Sequence, residues 1–370
     1  MNKILFISLT LILLILLIFL TYYLFKTKEN YVTNITNATN ITNVNNIPID
    51  VVYTWVDSYD PERDYYKNKL LSKTDFNRDK ERYEQSEELK YSIKSIEKNC
   101  PWVRNIYIVV KDDQKPNFIN FDTDLLSQRA SSGKNTNKIP IQLIKHSMIM
   151  PSSSLPTFSS ISIELCLHNI AGLSDYYIYM NDDLFITKPL LKTDFIKEGK
   201  PLVNITPADK EYIKKIKNKD YITNIKNIDY YSFNIMYNKT LLLANKLTNQ
   251  DLYICPSHVP SICYKPWDKE IEMLLKTIPF KDSNLWYYSV HEKFRTNDSL
   301  ALNGCFRPIY YIFKGSNKTD YYNLSSAVYL KDDNKCNNYT IFNNKDIFLC
   351  VNEIEDKCKS FFNNEMLKRF

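Results

Sequence analysis

The sequence predicts an α/β protein with a mostly parallel sheet and helical insertions, preceded by one transmembrane helix. Three observations carry that expectation. Short β-branched runs alternate with helically spaced stretches from residue 49 onward. Of 370 residues, 44% are hydrophobic, enough to bury a substantial core. An unbroken apolar run, Ile4 to Phe25, stands ahead of both.

Residues 1–3 are a short amino-terminal tail. Residues 4–25 span roughly 33 Å as a helix, enough to cross a bilayer, and no small-residue cleavage site follows them. They are expected to be a signal anchor. Residues 26–48 are rich in Asn and Thr, have few large apolar side chains, and read as a stalk. The stalk carries tandem glycosylation sequons at Asn34, Asn37 and Asn40, and further sequons begin at Asn204, Asn238, Asn297, Asn317, Asn323 and Asn338.

The folded part, 49–370, opens with a strand over Ile49 to Val56. A helix follows over Glu87 to Lys98, where Leu89, Ile93 and Ile96 share a face, and then a strand over Asn105 to Val110. A short strand at Ile141 to Ile144, a helix from the cap at Ser159 or Ser160 to Asn169, and a strand at Tyr176 to Met180 continue the alternation. Residues 192–250 are rich in Lys, Asn and Tyr and read as an insertion or lid. A helix over Lys265 to Thr277 and a last strand around Ile347 to Cys350 complete the reading.

Forty-eight basic and 42 acidic residues are scattered without a basic stripe, which argues against nucleic acid as a partner. Eight cysteines all lie beyond the apolar run, as expected of an oxidising compartment, with Cys255 and Cys263 a plausible local disulfide. There is no CxxC pair to suggest a structural zinc site.

Only five glycines are present, and no glycine-rich phosphate loop. A diphosphate would then be held by carboxylates through Mg2+ or Mn2+, by helix amino termini and by cations such as Arg295. The acids sit where strands end: Asp57 and Asp60 after the first, beside Trp55; Asp112 and Asp113 after the second; Asn181, Asp182 and Asp183 after the strand at 176–180. In open α/β sheets ligands bind at that edge. Glu164 and His168, four apart on an expected helix, would share a face. His146, His168, His258 and His291 are the histidines able to exchange a proton near neutrality. Arg295 and Asp298 add a cation for phosphate and a carboxylate for base or metal duty.

Four blocks together resemble the Stealth family, which includes the α/β subunit of GlcNAc-1-phosphotransferase and bacterial capsular polysaccharide phosphotransferases. They are Ile49 to Asp57 ending at Asp60-Pro61; Glu88 to Asp183; His258-Val259-Pro260 with Arg295 and Asp298; and Cys350-Val351-Asn352-Glu353, in which Glu353 stands where the family commonly has Asp. The resemblance implies a nucleotide-sugar-binding, GT-A or Rossmann-like sheet. It implies transfer of a hexose 1-phosphate, such as GlcNAc-1-phosphate from UDP-GlcNAc, to a hydroxyl of a glycan or glycoprotein acceptor.

Residue chemistry then suggests Trp55, Asp57, Asp60 and Arg295 at the donor, Asp182 and Asp183 at a metal, and His258 or Asp298 as base, with Arg295 and Asp183 also catalytic. Glu164, His168, Asn181, Asn352 and Glu353 are further candidates. A metal-dependent glycosyltransferase and a non-catalytic carbohydrate-binding protein are the competing readings. A type II membrane protein with its catalytic part in the Golgi lumen is the expected setting.

Overall fold

The computed structural model describes residues 44–71, 87–118, 138–226, 231–319, 321–330, 345–352 and 354–370. The chain divides into two units, Met1–Asn46 and Ile47–Phe370. The first is described only at the single 3-10 turn Val44–Asn46. The expected membrane span, nearly all of the stalk with its tandem sequons, and Glu353 lie outside the described residues. Among the described residues no helix is long and apolar enough to cross a membrane.

The strands that shape the second unit are β1 (Ile49–Thr54), β2 (Ile106–Val110), β3 (Ile141–Lys145), β4 (Tyr176–Asn181), β5 (Leu184–Ile186), β6 (Ser261–Tyr264), β7 (Ser325–Tyr329) and β8 (Phe348–Asn352). The main sheet has the order β6-β4-β1-β2-β3. β1 pairs in parallel with β2 and β4, β2 pairs in parallel with β3, and β6 closes the far edge antiparallel to β4. β2 is a continuous apolar run, and β1 is one apart from Asp50 and its last residue, because helices cover both faces. Tyr53 on β1 points to the helix Glu88–Asn99 and bonds Ser92 Oγ at 2.8 Å. Tyr177 on β4 points the other way and donates to Asp268 of the helix Lys265–Lys276 at 2.6 Å.

Asp50 interrupts the apolar run of β1 and is fully buried. Such a charge is tolerable only when its oxygens are satisfied. Arg104 donates to both of them at 2.9 and 2.6 Å, and the backbone and hydroxyl of Ser174 add bonds at 2.7 and 2.8 Å. This fork ties β1 to the turns preceding β2 and β4, so the parallel trio is locked at its amino end. The opposite end is left for ligands.

The main core joins Val52, Tyr107, Val109 and Tyr179 of the sheet to Ile161, Met236, Leu241, Ile271, Val290 and Ile309 from helices. A smaller sheet, β7-β8-β5, packs Phe185, Leu349 and Val351 against Phe362 and Met366 of the carboxyl-terminal helix Lys359–Arg369. Truncating Phe185 or Phe362 to Ala would cost about 3–5 kcal/mol.

Three expectations are corrected. The helix capped by Ser159 ends at Glu164, and a separate 3-10 turn, Leu167–Asn169, follows, so Glu164 and His168 do not share a helical face. The stretch 192–250, expected as an insertion or lid outside the core, contributes core: its helix Phe233–Thr248 buries Met236, Tyr237, Leu241 and Ala244. Its apolar positions were masked in the sequence by the Lys and Asn between them. Cys255 and Cys263 are both free thiols, Cys263 being buried inside β6, whereas Cys358 is disulfide-bonded.

Candidate active site

The parallel register delivers two acidic loops side by side. Thr54 pairs with Asn181, so the chain leaving β1 toward Asp57 and the chain leaving β4 toward Asp182 and Asp183 start from adjacent strand ends. Both loops were anticipated at this edge; their chemistry differs.

In the first loop Asp60 is only 1% exposed and caps the helix Pro61–Leu70. Its Oδ1 accepts the Glu62 and Arg63 backbone N–H groups, both at 3.1 Å, and Lys111 Nζ at 3.3 Å, while Oδ2 accepts from Gln114 at 2.8 Å. That leaves Asp60 holding the loop in place rather than reaching outward. Asp57 is half-buried. Its N–H donates to Gln114 Oε1 at 2.9 Å, its carboxylate accepts the Tyr59 N–H at 3.0 Å, and its carbonyl accepts from Arg63 at 3.0 Å. Trp55, also half-buried, continues the sheet by donating its N–H to the Val109 carbonyl. Asp112 and Asp113 close the neighbouring turn: Asp112 accepts from Ser147, and Asp113 from Lys111 at 2.8 Å.

The second loop carries a different set of partners. β6 runs antiparallel to β4 with Ser261 opposite Tyr179, so the residues before Ser261 travel toward the Asp182–Asp183 step. His258 arrives there, its Nε2 3.2 Å from each oxygen of Asp183. β8 pairs with β5 so that Cys350 faces Leu184, and the Val351 N–H donates to the Asp183 carbonyl at 3.0 Å. That register sets Cys350 Sγ 3.4 Å from Asp183 Oδ2. Desolvation works against a charged His258, but the Asp183 carboxylate outweighs it and raises the imidazole pKa. Burial, reinforced by Asp183, pushes the Cys350 thiol up. Cys350 was quoted within the fourth block but not singled out; its one sequence signal was its place at the end of an apolar strand. Asn181 and Asn352 end β4 and β8 half-buried.

Arg295 belongs to the loop 291–299. The Glu292 carbonyl accepts from Thr157 at 2.7 Å, Phe294 stacks on Phe158 at 5.3 Å, and the Arg295 guanidinium donates to Ser160 Oγ. Its positive charge acts on both His258 and Glu164. Glu164 is buried, which raises its pKa against the pull of Arg295 and Arg307, and it accepts from Tyr179 at 3.2 Å. Tyr179 in turn bonds Thr54 at 3.0 Å, linking Glu164 to the β1 and β4 ends. His168 lies apart from this group, 2.5 Å from Glu272, whose carboxyl is drawn down to about 2 chiefly by that hydrogen bond.

Asp298 is clamped between Lys239 and Lys281, 3.0 Å from each. Burial alone would raise its pKa, but the two ammonium groups more than compensate and lower it. A carboxylate so stabilised is a weak proton acceptor. Glu292, missed by sequence reading, is buried, accepts from the Thr296 hydroxyl at 2.6 Å, and titrates near 7, raised mainly by burial.

The chain is 30% identical over 297 residues to the capsular polysaccharide phosphotransferase cps1A of Actinobacillus pleuropneumoniae, covering 75% of this chain and 70% of that protein. Residues 82–203 match the family model for conserved region 2 of Stealth proteins. The chain belongs to the Stealth family. Among other relatives, the capsular polysaccharide phosphotransferase fcs1 of Haemophilus influenzae is 38% identical over 175 residues, which is 45% of this chain but only 44% of that protein. Among solved structures, galactosyltransferase LgtC, in complex with donor and acceptor sugar analogs, is similar at a TM-score of 0.39 and 10% identity, covering 86% of this chain and 94% of that one.

Proposed function

We propose that this Stealth protein transfers a hexose 1-phosphate from a nucleotide sugar to a hydroxyl of a glycan. The observation that carries the reading is the Asp183–His258 pair at the carboxyl edge of β4, with Arg295 close enough for its charge to act on His258. The names of the relatives support the same reaction class.

In this mechanism His258 Nε2–H donates to Asp183, which fixes the tautomer and leaves Nδ1 to take the proton of the acceptor hydroxyl. The hydroxyl oxygen bonds to the phosphorus that carries the sugar. The bond from that phosphorus to the bridging oxygen breaks, and the nucleoside monophosphate leaves with the electron pair. Arg295 balances charge on the transferring phosphoryl group. Asp57, held by Gln114 and Tyr59, lines the donor side. Asp182 and Asp183 offer carboxylate oxygens that fit Mg2+ or Mn2+, and such an ion would neutralise the donor diphosphate when bound. Asp183 has lone pairs enough to serve an ion and His258 together.

UDP-GlcNAc is the proposed donor. The test is to incubate the chain with UDP-GlcNAc, Mn2+ or Mg2+ and simple mannosides, and to separate the released nucleotides. UMP that disappears in His258→Ala supports the reading. UDP would instead mean glycosyl transfer. Failure of a panel of nucleotide sugars to give either nucleotide would overturn it.

A further inference from the structure

We propose that Asp183, His258 and Cys350 form a binding site for a borderline-soft divalent cation of the zinc type, and that this ion removes His258 from proton transfer. The second half rests on the base role proposed above; the ion site does not.

The geometry is that of a collapsed three-ligand site. One donor atom from each residue lies within 4.8 Å of the others. The contacts are 3.2 Å from His258 Nε2 to Asp183 and 3.4 Å from Cys350 Sγ to Asp183. Ligands bound at about 2.0–2.3 Å to a tetrahedral ion stand roughly 3.3–3.7 Å from one another, so the two contacts to Asp183 already have about that spacing and the His258–Cys350 pair has to close to it. Hydrogen bonding alone accounts poorly for the arrangement. Nε2 is shared at 3.2 Å between both Asp183 oxygens, long for a charge-assisted bond, and a thiol is a weak donor.

Donor chemistry selects the ion. Mg2+ and Ca2+ are held by oxygen, whereas imidazole, carboxylate and thiolate together are a zinc-type set. Three protein ligands leave a fourth position open, and the His258 side chain is 46% exposed, so an ion can reach the site from solvent. Asp183 follows β4, His258 precedes β6 and Cys350 lies within β8, and the registers of these strands are fixed, so the cradle exists before any ion enters. Binding displaces the Cys350 thiol proton to solvent and leaves a thiolate on the metal. His258 then coordinates through Nε2 in the tautomer that carries its single proton on Nδ1, so Nδ1 has no lone pair left for the acceptor proton. A hard ion that touches only carboxylate oxygens leaves His258 in place. The site thus distinguishes a supporting ion from an opposing one.

The experiment titrates the full-length chain with Co2+ as a spectroscopic stand-in for zinc. The expected result is a sulfur-to-cobalt charge-transfer band with intense tetrahedral visible bands, both abolished by added Zn2+. Cys350→Ser, whose hydroxyl can still donate to Asp183, should lose the charge-transfer band. His258→Gln, on an exposed ring, should weaken Co2+ binding on the order of 100-fold. The other cysteines are present in all variants, so the difference spectrum reports Cys350 alone. A band that persists in Cys350→Ser, or Co2+ affinity unchanged in His258→Gln, overturns the site. Zn2+ added to Mn2+-supported phosphotransfer should inhibit the wild type and inhibit Cys350→Ser at least tenfold less potently. If no phosphotransfer is found at all, the spectra still decide the ion site, and only the proposed reaction falls.

Discussion

Two acidic loops leave adjacent strands of one sheet, and they spend their carboxylates in opposite ways. In the loop after β1, Asp60 gives both oxygens to a helix cap, a lysine and a glutamine, and is almost wholly buried. In the loop after β4, Asp183 meets an imidazole and a thiol brought from distant strands, and remains partly accessible. The sequence pattern, an acid just past a buried strand, is the same in both. What separates them is whether a helix begins immediately afterwards: Pro61 starts one and draws Asp60 into its cap, whereas β5 follows Asp183 and no amino-terminal N–H groups compete for it.

The sharpest break of this comparison would come from exchanging the effects of the two acids. Asp183→Ala should lower phosphotransfer about 1000-fold while moving the unfolding free energy by less than about 1 kcal/mol. Steady-state rates and urea denaturation of the same preparation check both halves. Asp60→Ala should do the reverse in stability, losing about 3–5 kcal/mol because Lys111 is left buried without that partner and the helix loses its cap. A destabilised Asp183→Ala and an unaffected Asp60→Ala would invert the assignment.

The loop bearing Arg295 extends the comparison to pH. Glu292 has a folded pKa near 7, above its unfolded value near 4.5, so its protonated form favours the fold. Its contribution is complete below about pH 4.5 and is lost as pH rises through about 7, a change on the order of 3 kcal/mol. Denaturation from pH 4.5 to 8 should show wild type losing stability relative to Glu292→Gln, which cannot ionise. Parallel curves would remove Glu292 as the cause.

Asp298 separates the two proposed bases. Asp298→Asn should cost less than about 1 kcal/mol, its lysine partners being part-exposed, and should leave phosphotransfer within about tenfold of wild type. A loss as large as that of His258→Ala would return the base role to Asp298. The smallest effect concerns modification. When the chain is made in a glycosylating host, peptide mass spectrometry should find no glycan on Asn238, which is buried between Tyr212 and Tyr221, or on Asn297, which accepts the Ser232 N–H. Exposed Asn317 is the contrasting position.

Much of this was readable beforehand because it depends on local pattern. The parallel strands and their acidic ends follow from apolar runs bounded by polar turns, and the antiparallel edge strand was the main omission: β6 is four residues long and its alternation is too brief to register. The core helix Phe233–Thr248 was hidden because Lys239, Asn234 and Asn245 dilute its apolar face. Glu164 and His168 were expected together because spacing alone cannot show that a helix stops after one turn. Cys350 was passed over because its meaning lies wholly in long-range register: nothing near it in sequence says that β8 will pair with β5 beside Asp183.

That register has a thermodynamic consequence. The chemical groups at positions 183, 258 and 350 are neighbours only when both sheets have formed, so any ligand gripped by all three binds the complete fold and not its parts. Occupancy therefore adds to global stability as RT ln(1 + [L]/Kd), about 2.7 kcal/mol at one hundred times the dissociation constant. Heat resistance of the whole chain becomes a gauge of what sits between three side chains.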